Sequence, residues 1–168
     1  MNKRPRMKLQ LNQTDKILEV LGWVSVVGIW ALTLTNYSIL PEIIPIHFNG
    51  AGKADGFGNK THIFILPIIS TLLFIGLTTL NKHPHMFNYP SQITKENAVH
   101  QYTNATRMMR VLKLVIVVLF GLIVFRKIQI VNGHADGLGT WFLPLTMGMI
   151  FIPMLYFLIK SLKKKTTI

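Results

Sequence analysis

Four apolar runs dominate this 168-residue chain: Ile17–Leu40, Ile63–Leu80, Met108–Phe125 and Trp141–Ile159. A helix needs about 20 apolar residues to cross a hydrocarbon core. Each run meets or approaches that length, and little chain is left over for a soluble domain. In lipid every backbone polar group must find its partner internally, which restricts a spanning segment to a helix or a closed barrel. The runs therefore predict an all-α integral membrane protein of four transmembrane helices, arranged as two helical hairpins. One membrane domain over 1–168 is expected, with spans at about 17–40, 63–80, 108–125 and 141–159. An outer loop at 41–62 and a cytoplasmic loop with a juxtamembrane helix at 81–107 complete it.

The charges agree with this reading. Only 14% of residues are charged, against about 25% in an ordinary soluble domain, and nearly all lie between the runs. The net charge of +12 would suggest nucleic acid on a soluble protein. Here the basic residues flank the spans, where anionic headgroups account for them, and no base-reading motif is present, so nucleic acid is not an expected partner. The bilayer is. No cysteine is present, which removes disulfide and thiol chemistry. The basic start followed by an apolar run resembles a signal peptide, but the run is too long for one and no small-x-small site follows. It is expected to remain as the first span.

Counting Lys and Arg by segment orients the chain. The N-terminal segment has Lys3, Arg4, Arg6, Lys8 and Lys16. The second connection has Lys82, Lys95, Arg107 and Arg110, and the tail has Lys160, Lys163, Lys164 and Lys165. Against these thirteen, the first connection has Lys53 and Lys60 and the third has Arg126 and Lys127. The bias predicts a multi-pass protein of the bacterial cell membrane with both termini and the second connection cytoplasmic. Arg110 and Lys113 lie inside the third run and are expected to snorkel to the interface. The middles of the spans carry no charge, which disfavours ion-coupled transport. Pro67, Pro144 and Pro153 fall within spans and can kink them. Gly22, Gly28 and Gly121 permit close helix contact.

An imperfect internal repeat is visible. Asn49-Gly50 followed by Ala54-Asp55-Gly56-Phe57-Gly58 parallels Asn132-Gly133 followed by Ala135-Asp136-Gly137-Leu138-Gly139. Leu66-Pro67 and Leu143-Pro144 then open the next spans. This predicts a weak parallel repeat about an axis along the membrane normal. Two independent turns built from common turn residues are the alternative.

The outer loop is the candidate site. It is long for a connection between neighbouring helices. Pro41 and Pro45 stiffen its entry, and a glycine-rich return can bring His47, Asp55 and Lys60 together as base, carboxylate and cation. Pro45 and Phe48 join them as candidate ligand contacts. A capped turn with a solvated lysine is the plainer alternative. His47, Asp55 and His62 are weak candidates for a metal, but no His-Glu-x-x-His spacing supports one. No metal or other cofactor is expected.

On the cytoplasmic side, His83-Pro84-His85 and Asn88-Tyr89-Pro90 read as an irregular segment. Thr94 resembles an N-cap with Glu96 in the first turn. Ala98, Tyr102, Ala105 and Met109 fall on one face of a helix that should continue into the third span. Glu96 and His100 are close enough to pair. Asn88, Glu96, Asn97 and Tyr102 form a candidate docking surface for a soluble regulator, a juxtamembrane helix with a solvated face being the alternative.

The stretch Leu40-Pro41-x-x-Ile44-Pro45-x-His47-Phe48, then Gly52-x-x-Asp55-x-x-Gly58-x-Lys60, resembles a bacterial membrane domain of unknown function. That domain also forms the N-terminal part of SdpI-type immunity proteins. Asn88-Tyr89-Pro90, Ile93-Thr94-x-Glu96-Asn97-Ala98 and Gln101-Tyr102 extend the likeness, which covers roughly Tyr37 to Lys113. SdpI-type proteins continue into a further membrane part, so this chain resembles the short members. The resemblance implies immunity to a membrane-active peptide toxin and sequestration of a soluble repressor. The expected function is thus a membrane immunity or sensing protein that meets a peptide or lipid-like ligand through its outer loop. Two alternatives stay open. One is a membrane enzyme, metal-dependent or not, using His47 and Asp55 on a lipid-linked or peptide substrate. The other is a small transporter or accessory subunit.

Overall fold

A computed structural model describes residues 4–162. Lys3, Lys163, Lys164 and Lys165, counted in the charge bias, lie outside them.

Among the described residues, four helices are long and apolar enough to cross a membrane. Helix α1 spans Gln13–Tyr37, α2 Ile65–Leu80, α3 Ala98–Val131 and α4 Phe142–Leu162. Helix α1 starts ahead of its apolar run because Asn12 and Asp15 cap it reciprocally. The Asp15 N–H donates to Asn12 Oδ1 at 2.9 Å and the Asn12 N–H to Asp15 Oδ2 at 3.2 Å, which satisfies two otherwise orphan donors.

The burial pattern is the reverse of a soluble protein's. Val27, Leu72 and Ile152 are each about two-thirds exposed, while Thr33, Ser70 and Lys113 are sealed inside. An apolar exterior around a partly polar interior is what lipid demands, since hydrocarbon solvates aliphatic side chains and not charges.

Helix α3 is the axis of the bundle and packs against α1, α2 and α4. Helices α1 and α2 meet where Gly22 faces the Phe74 ring. A Cβ at Gly22 would lie only 2.4 Å from Phe74 Cε2. Trp23 stacks edge-on to Phe74, and Trp30 donates from Nε1 to Thr71 Oγ1 at 2.9 Å. A Cβ at Gly121 would meet Ile29 Cβ at 4.0 Å, an ordinary contact, whereas one at Gly28 would meet open space. Polar ties join α3 to the end of α4. Gln101 Nε2 donates to the Ser161 carbonyl at 2.8 Å, Ser161 Oγ donates to Gln101 Oε1, and Asn104 Nδ2 donates to the Phe157 carbonyl at 2.8 Å.

The first connection is more ordered than an irregular loop. It is an antiparallel hairpin, β1 (Ile43–Phe48) and β2 (Ala54–Asn59), followed by a 3-10 turn, Lys60–Phe64. Pro67 and Pro144 stand third in α2 and α4, in first turns where a proline disturbs little. Of the three, Pro153 alone stands inside a helix, so the kinks expected at the other two are not imposed. The two repeat copies take different shapes: the first is the hairpin, the second a short turn that docks onto it.

Two further expectations change. Arg110 and Lys113 do not snorkel. They are 6% and 1% exposed because carboxylates on α1 pair with them where they stand. Glu96 makes no ion pair with His100 among the described residues. It stays exposed beside Thr94, whose hydroxyl, with the Glu96 backbone N–H, holds its carboxyl below the usual range. Thr94 exchanges hydrogen bonds with Asn97 in a turn ahead of α3, but it is not the helix N-cap as expected: Asn97 holds that position, α3 starts at Ala98, and Glu96 falls before its first turn.

Candidate functional site

The hairpin is built around its glycines. Asn49 Oδ1 accepts from the N–H groups of Ala51 and Lys53 and closes the turn. Gly56 lies opposite His47 in the register, and its missing side chain leaves the imidazole room: a Cβ there would sit 2.9 Å from His47 Cβ. His47 Nδ1 then reaches Asp55 Oδ1 at 2.5 Å. A carboxylate accepts, so in the neutral imidazole this contact favours the tautomer with the proton on Nδ1 and Nε2 as acceptor. The pair is open to water, with side-chain exposures of 71% and 42%.

Lys60 does not join it. It pairs with Glu42 at 2.9 Å and lies 5.4 Å over the Tyr37 ring, at the base of the hairpin. Five residues of strand, about 16 Å at 3.3 Å each, separate base from tip. Pro45 is buried in β1, and Phe48 closes the strand half-exposed. His62 turns Nδ1 to the Asn59 carbonyl at 2.8 Å. Among the described residues no three His, Asp or Glu side chains gather as a metal ligand set, so His47, Asp55 and His62 do not form one.

Beneath the hairpin lies a cavity of about 390 Å³. Ile46, Phe48, Ile65, Leu66, Ile123 and Leu138 make its apolar wall, and His47, His62 and Lys127 supply its polar groups. Lys127 is 5% exposed, and its ammonium makes no hydrogen bond or ion pair among the described residues. The rim is fixed by the second repeat copy. The Leu138 N–H donates to the Gly52 carbonyl at 2.7 Å, Lys53 bridges Gly137, and Arg126 donates from Nε and Nη2 to the Gly137 carbonyl at 3.1 and 2.6 Å.

The opposite end of the bundle carries an ion network that the sequence reading missed. Arg107 grips Asp15 with two hydrogen bonds, Nε to Oδ1 at 2.8 Å and Nη2 to Oδ2 at 3.2 Å. Arg110 Nε donates to Glu19 Oε1 at 3.0 Å. Lys113 donates to Glu19 Oε2 at 2.5 Å and to Thr78 Oγ1 at 2.7 Å, and its ammonium sits 4.2 Å over the Phe74 ring. A signal for it existed. Asp15 and Glu19 stand one turn apart, as do Arg107, Arg110 and Lys113, all near helix ends that the charge bias puts on one side.

The N-terminal segment crosses this end as a strap. Arg4 donates to the carbonyls of His85 and Phe87 and lies 5.6 Å over the Tyr89 ring. The Tyr102 hydroxyl donates to the Pro5 carbonyl at 3.1 Å. The Tyr89 hydroxyl donates to the Pro84 carbonyl at 2.8 Å, and burial pushes the Tyr89 phenol above its ordinary pKa, which keeps it a donor. Tyr102 is fully buried and Asn97 is tied to the Thr94 turn. Of the four docking candidates, Asn88 and Glu96 are therefore the exposed ones.

Fold and burial define a multi-pass helical membrane protein with a β-hairpin over one end. The family described as "Domain of unknown function (DUF1648)" matches residues 24–71, which take in most of α1, the whole hairpin and the start of α2. An uncharacterized protein of Archaeoglobus fulgidus is 33% identical over 89 residues, covering 48% of this chain and 49% of the relative. The chain thus spans about half the length of that relative. No solved structure matches the chain.

Proposed function

We propose that this chain is a bacterial membrane immunity or sensing protein, in which the cavity beneath the hairpin receives a membrane-active peptide or a lipid-like ligand. The hairpin end faces outwards and both termini are cytoplasmic, as the charge bias predicts. The observation that carries the reading is Lys127. A buried ammonium with no carboxylate partner is expensive to maintain, and this one lines a cavity that is otherwise apolar apart from two histidines. Such a site suits an amphiphile: an apolar body on Ile46, Phe48 and Leu66, and an anionic group on Lys127. A peptide's C-terminal carboxylate or a lipid phosphate meets that description. Asn88 and Glu96, at the other end, remain the surface offered to a soluble regulator.

In toxin-sensitive bacteria challenged with a panel of membrane-active peptides, the wild-type chain is expected to protect. Lys127→Met should weaken ligand binding about tenfold or more, the value of a lost charge-assisted hydrogen bond. Protection should fall with it at equal expression. Protection undiminished in Lys127→Met would remove the cavity from the mechanism.

The His47–Asp55 pair favours a second reading, acid/base chemistry at the exposed tip. A histidine oriented through Nδ1 with Nε2 free is a competent general base. The variant Asp55→Asn separates the two, because it disturbs the base while leaving Lys127 and the apolar wall of the cavity in place. Retained protection in Asp55→Asn supports binding, and its loss supports catalysis.

A further inference from the structure

A second cavity, of about 420 Å³, opens under the N-terminal strap at the end opposite the hairpin. Met7, Leu9, Leu11 and Pro84 form its apolar side, and Lys8, Lys82, Arg110, Glu19, Thr78 and Asn81 its polar side. Three features of this wall are unsatisfied. The Arg110 side chain is 7% exposed, yet only its Nε hydrogen-bonds. Its Nη1 stands 3.9 Å from Asp15 Oδ1, too far for a hydrogen bond, and Nη2 has no partner among the described residues. The ion network behind it sets two carboxylates, Asp15 and Glu19, against three cations, Arg107, Arg110 and Lys113, which leaves a positive charge over. Finally, Asn81 is 7% exposed, and while its Nδ2 donates to the Thr106 carbonyl, its buried Oδ1 accepts no hydrogen bond among the described residues.

Each feature states a requirement. The free edge of a buried guanidinium asks for a planar or tetrahedral oxyanion, which it grips in bidentate fashion. Lys8 and Lys82 on the rim add charge of the same sign. The orphan Asn81 Oδ1 asks for a donor, a hydroxyl or an amine, close to that anion. The apolar side asks for a carbon skeleton. We infer that this cavity binds a phosphate ester bearing a neighbouring hydroxyl, with phosphatidylglycerol of the cytoplasmic leaflet or a soluble glycerol phosphate as its source. The phosphate sits on Arg110 between Lys8 and Lys82, and the hydroxyl donates to Asn81 Oδ1. This site is independent of the cavity beneath the hairpin.

The test uses the full chain in neutral detergent, titrated calorimetrically with short-chain phosphatidylglycerol, short-chain phosphatidylcholine and glycerol 1-phosphate. Phosphatidylcholine keeps the phosphate but has no headgroup donor and carries a compensating cation. Phosphatidylglycerol is expected to bind more tightly than phosphatidylcholine. The double variant Lys8→Gln/Lys82→Gln, which alters only exposed rim residues, should lose about tenfold in affinity with its thermal transition unchanged. Glycerol 1-phosphate binding as tightly as the lipid, and equally sensitive to the variant, identifies the soluble ester as the source. A much weaker response identifies the headgroup. Equal binding of the two lipids, or a variant that binds phosphatidylglycerol like wild type, overturns the site.

Discussion

Glu19→Ala is expected to destabilise the bundle by about 3–5 kcal/mol, the cost of breaking a buried ion pair from one side. Glu19 accepts from both Arg110 and Lys113, and the Lys113 side chain is wholly inaccessible. Removing the carboxylate leaves an ammonium among α1, α2 and α3 with only the Thr78 hydroxyl and the Phe74 ring for company. Equilibrium unfolding in detergent, followed by helical circular dichroism, measures the loss. The double variant Glu19→Ala/Lys113→Met should recover part of it, since the sealed ammonium is gone and methionine fills its space, while Arg110 keeps only its approach to Asp15 at 3.9 Å. A single variant as stable as wild type would mean that water reaches Lys113 freely and that the network contributes little.

Gly52→Ala should undock the two loops at the hairpin end, at a cost on the order of 2–4 kcal/mol from combined backbone strain and overpacking. Gly52 has φ +76°, a conformation that residues with a Cβ rarely adopt. That Cβ would also stand 2.6 Å from the Gly139 carbonyl oxygen. The obstacle is backbone, so no side-chain rotation relieves it. Hydrogen exchange gives a local readout: the Leu138 amide, bonded to the Gly52 carbonyl, should lose its protection while amides within α3 keep theirs. Persistent protection at Leu138 would show that the loops are held by other contacts.

The helices could be read from the chain because bilayer physics writes long, charge-poor runs into a sequence. Three of the four runs end within a few residues of the observed helices. Helix α3 is longer than its run at both ends, since polar residues such as Gln101 and Asn104 continue the helix by bonding to α4. The hairpin was harder to see. Ile43–Phe48 alternates poorly, and its register depends on Gly56 facing His47, which only pairing reveals. The His47–Asp55 contact was legible in residue type and loop stiffness. The placement of Lys60 was not, because Glu42 competes for it at the far end of the strand. The ion network escaped notice because Asp15 and its partner Arg107 are 92 positions apart. Charges at the edge of an apolar run also look like interfacial anchors until a neighbouring helix is seen to face them.

Helix α3 also sets a length. It runs 34 residues without interruption, about 51 Å at 1.5 Å per residue, well beyond a hydrocarbon core of about 30 Å. Arg110 and Lys127 ride on this one rod seventeen positions apart, so their backbone positions are fixed about 26 Å from each other along the axis. Neither backbone position can shift relative to the other, because both belong to one uninterrupted helix. A rod of this kind works as a caliper: charged groups at fixed positions along it favour one bilayer thickness, and a thicker or thinner membrane must deform around it or tilt it.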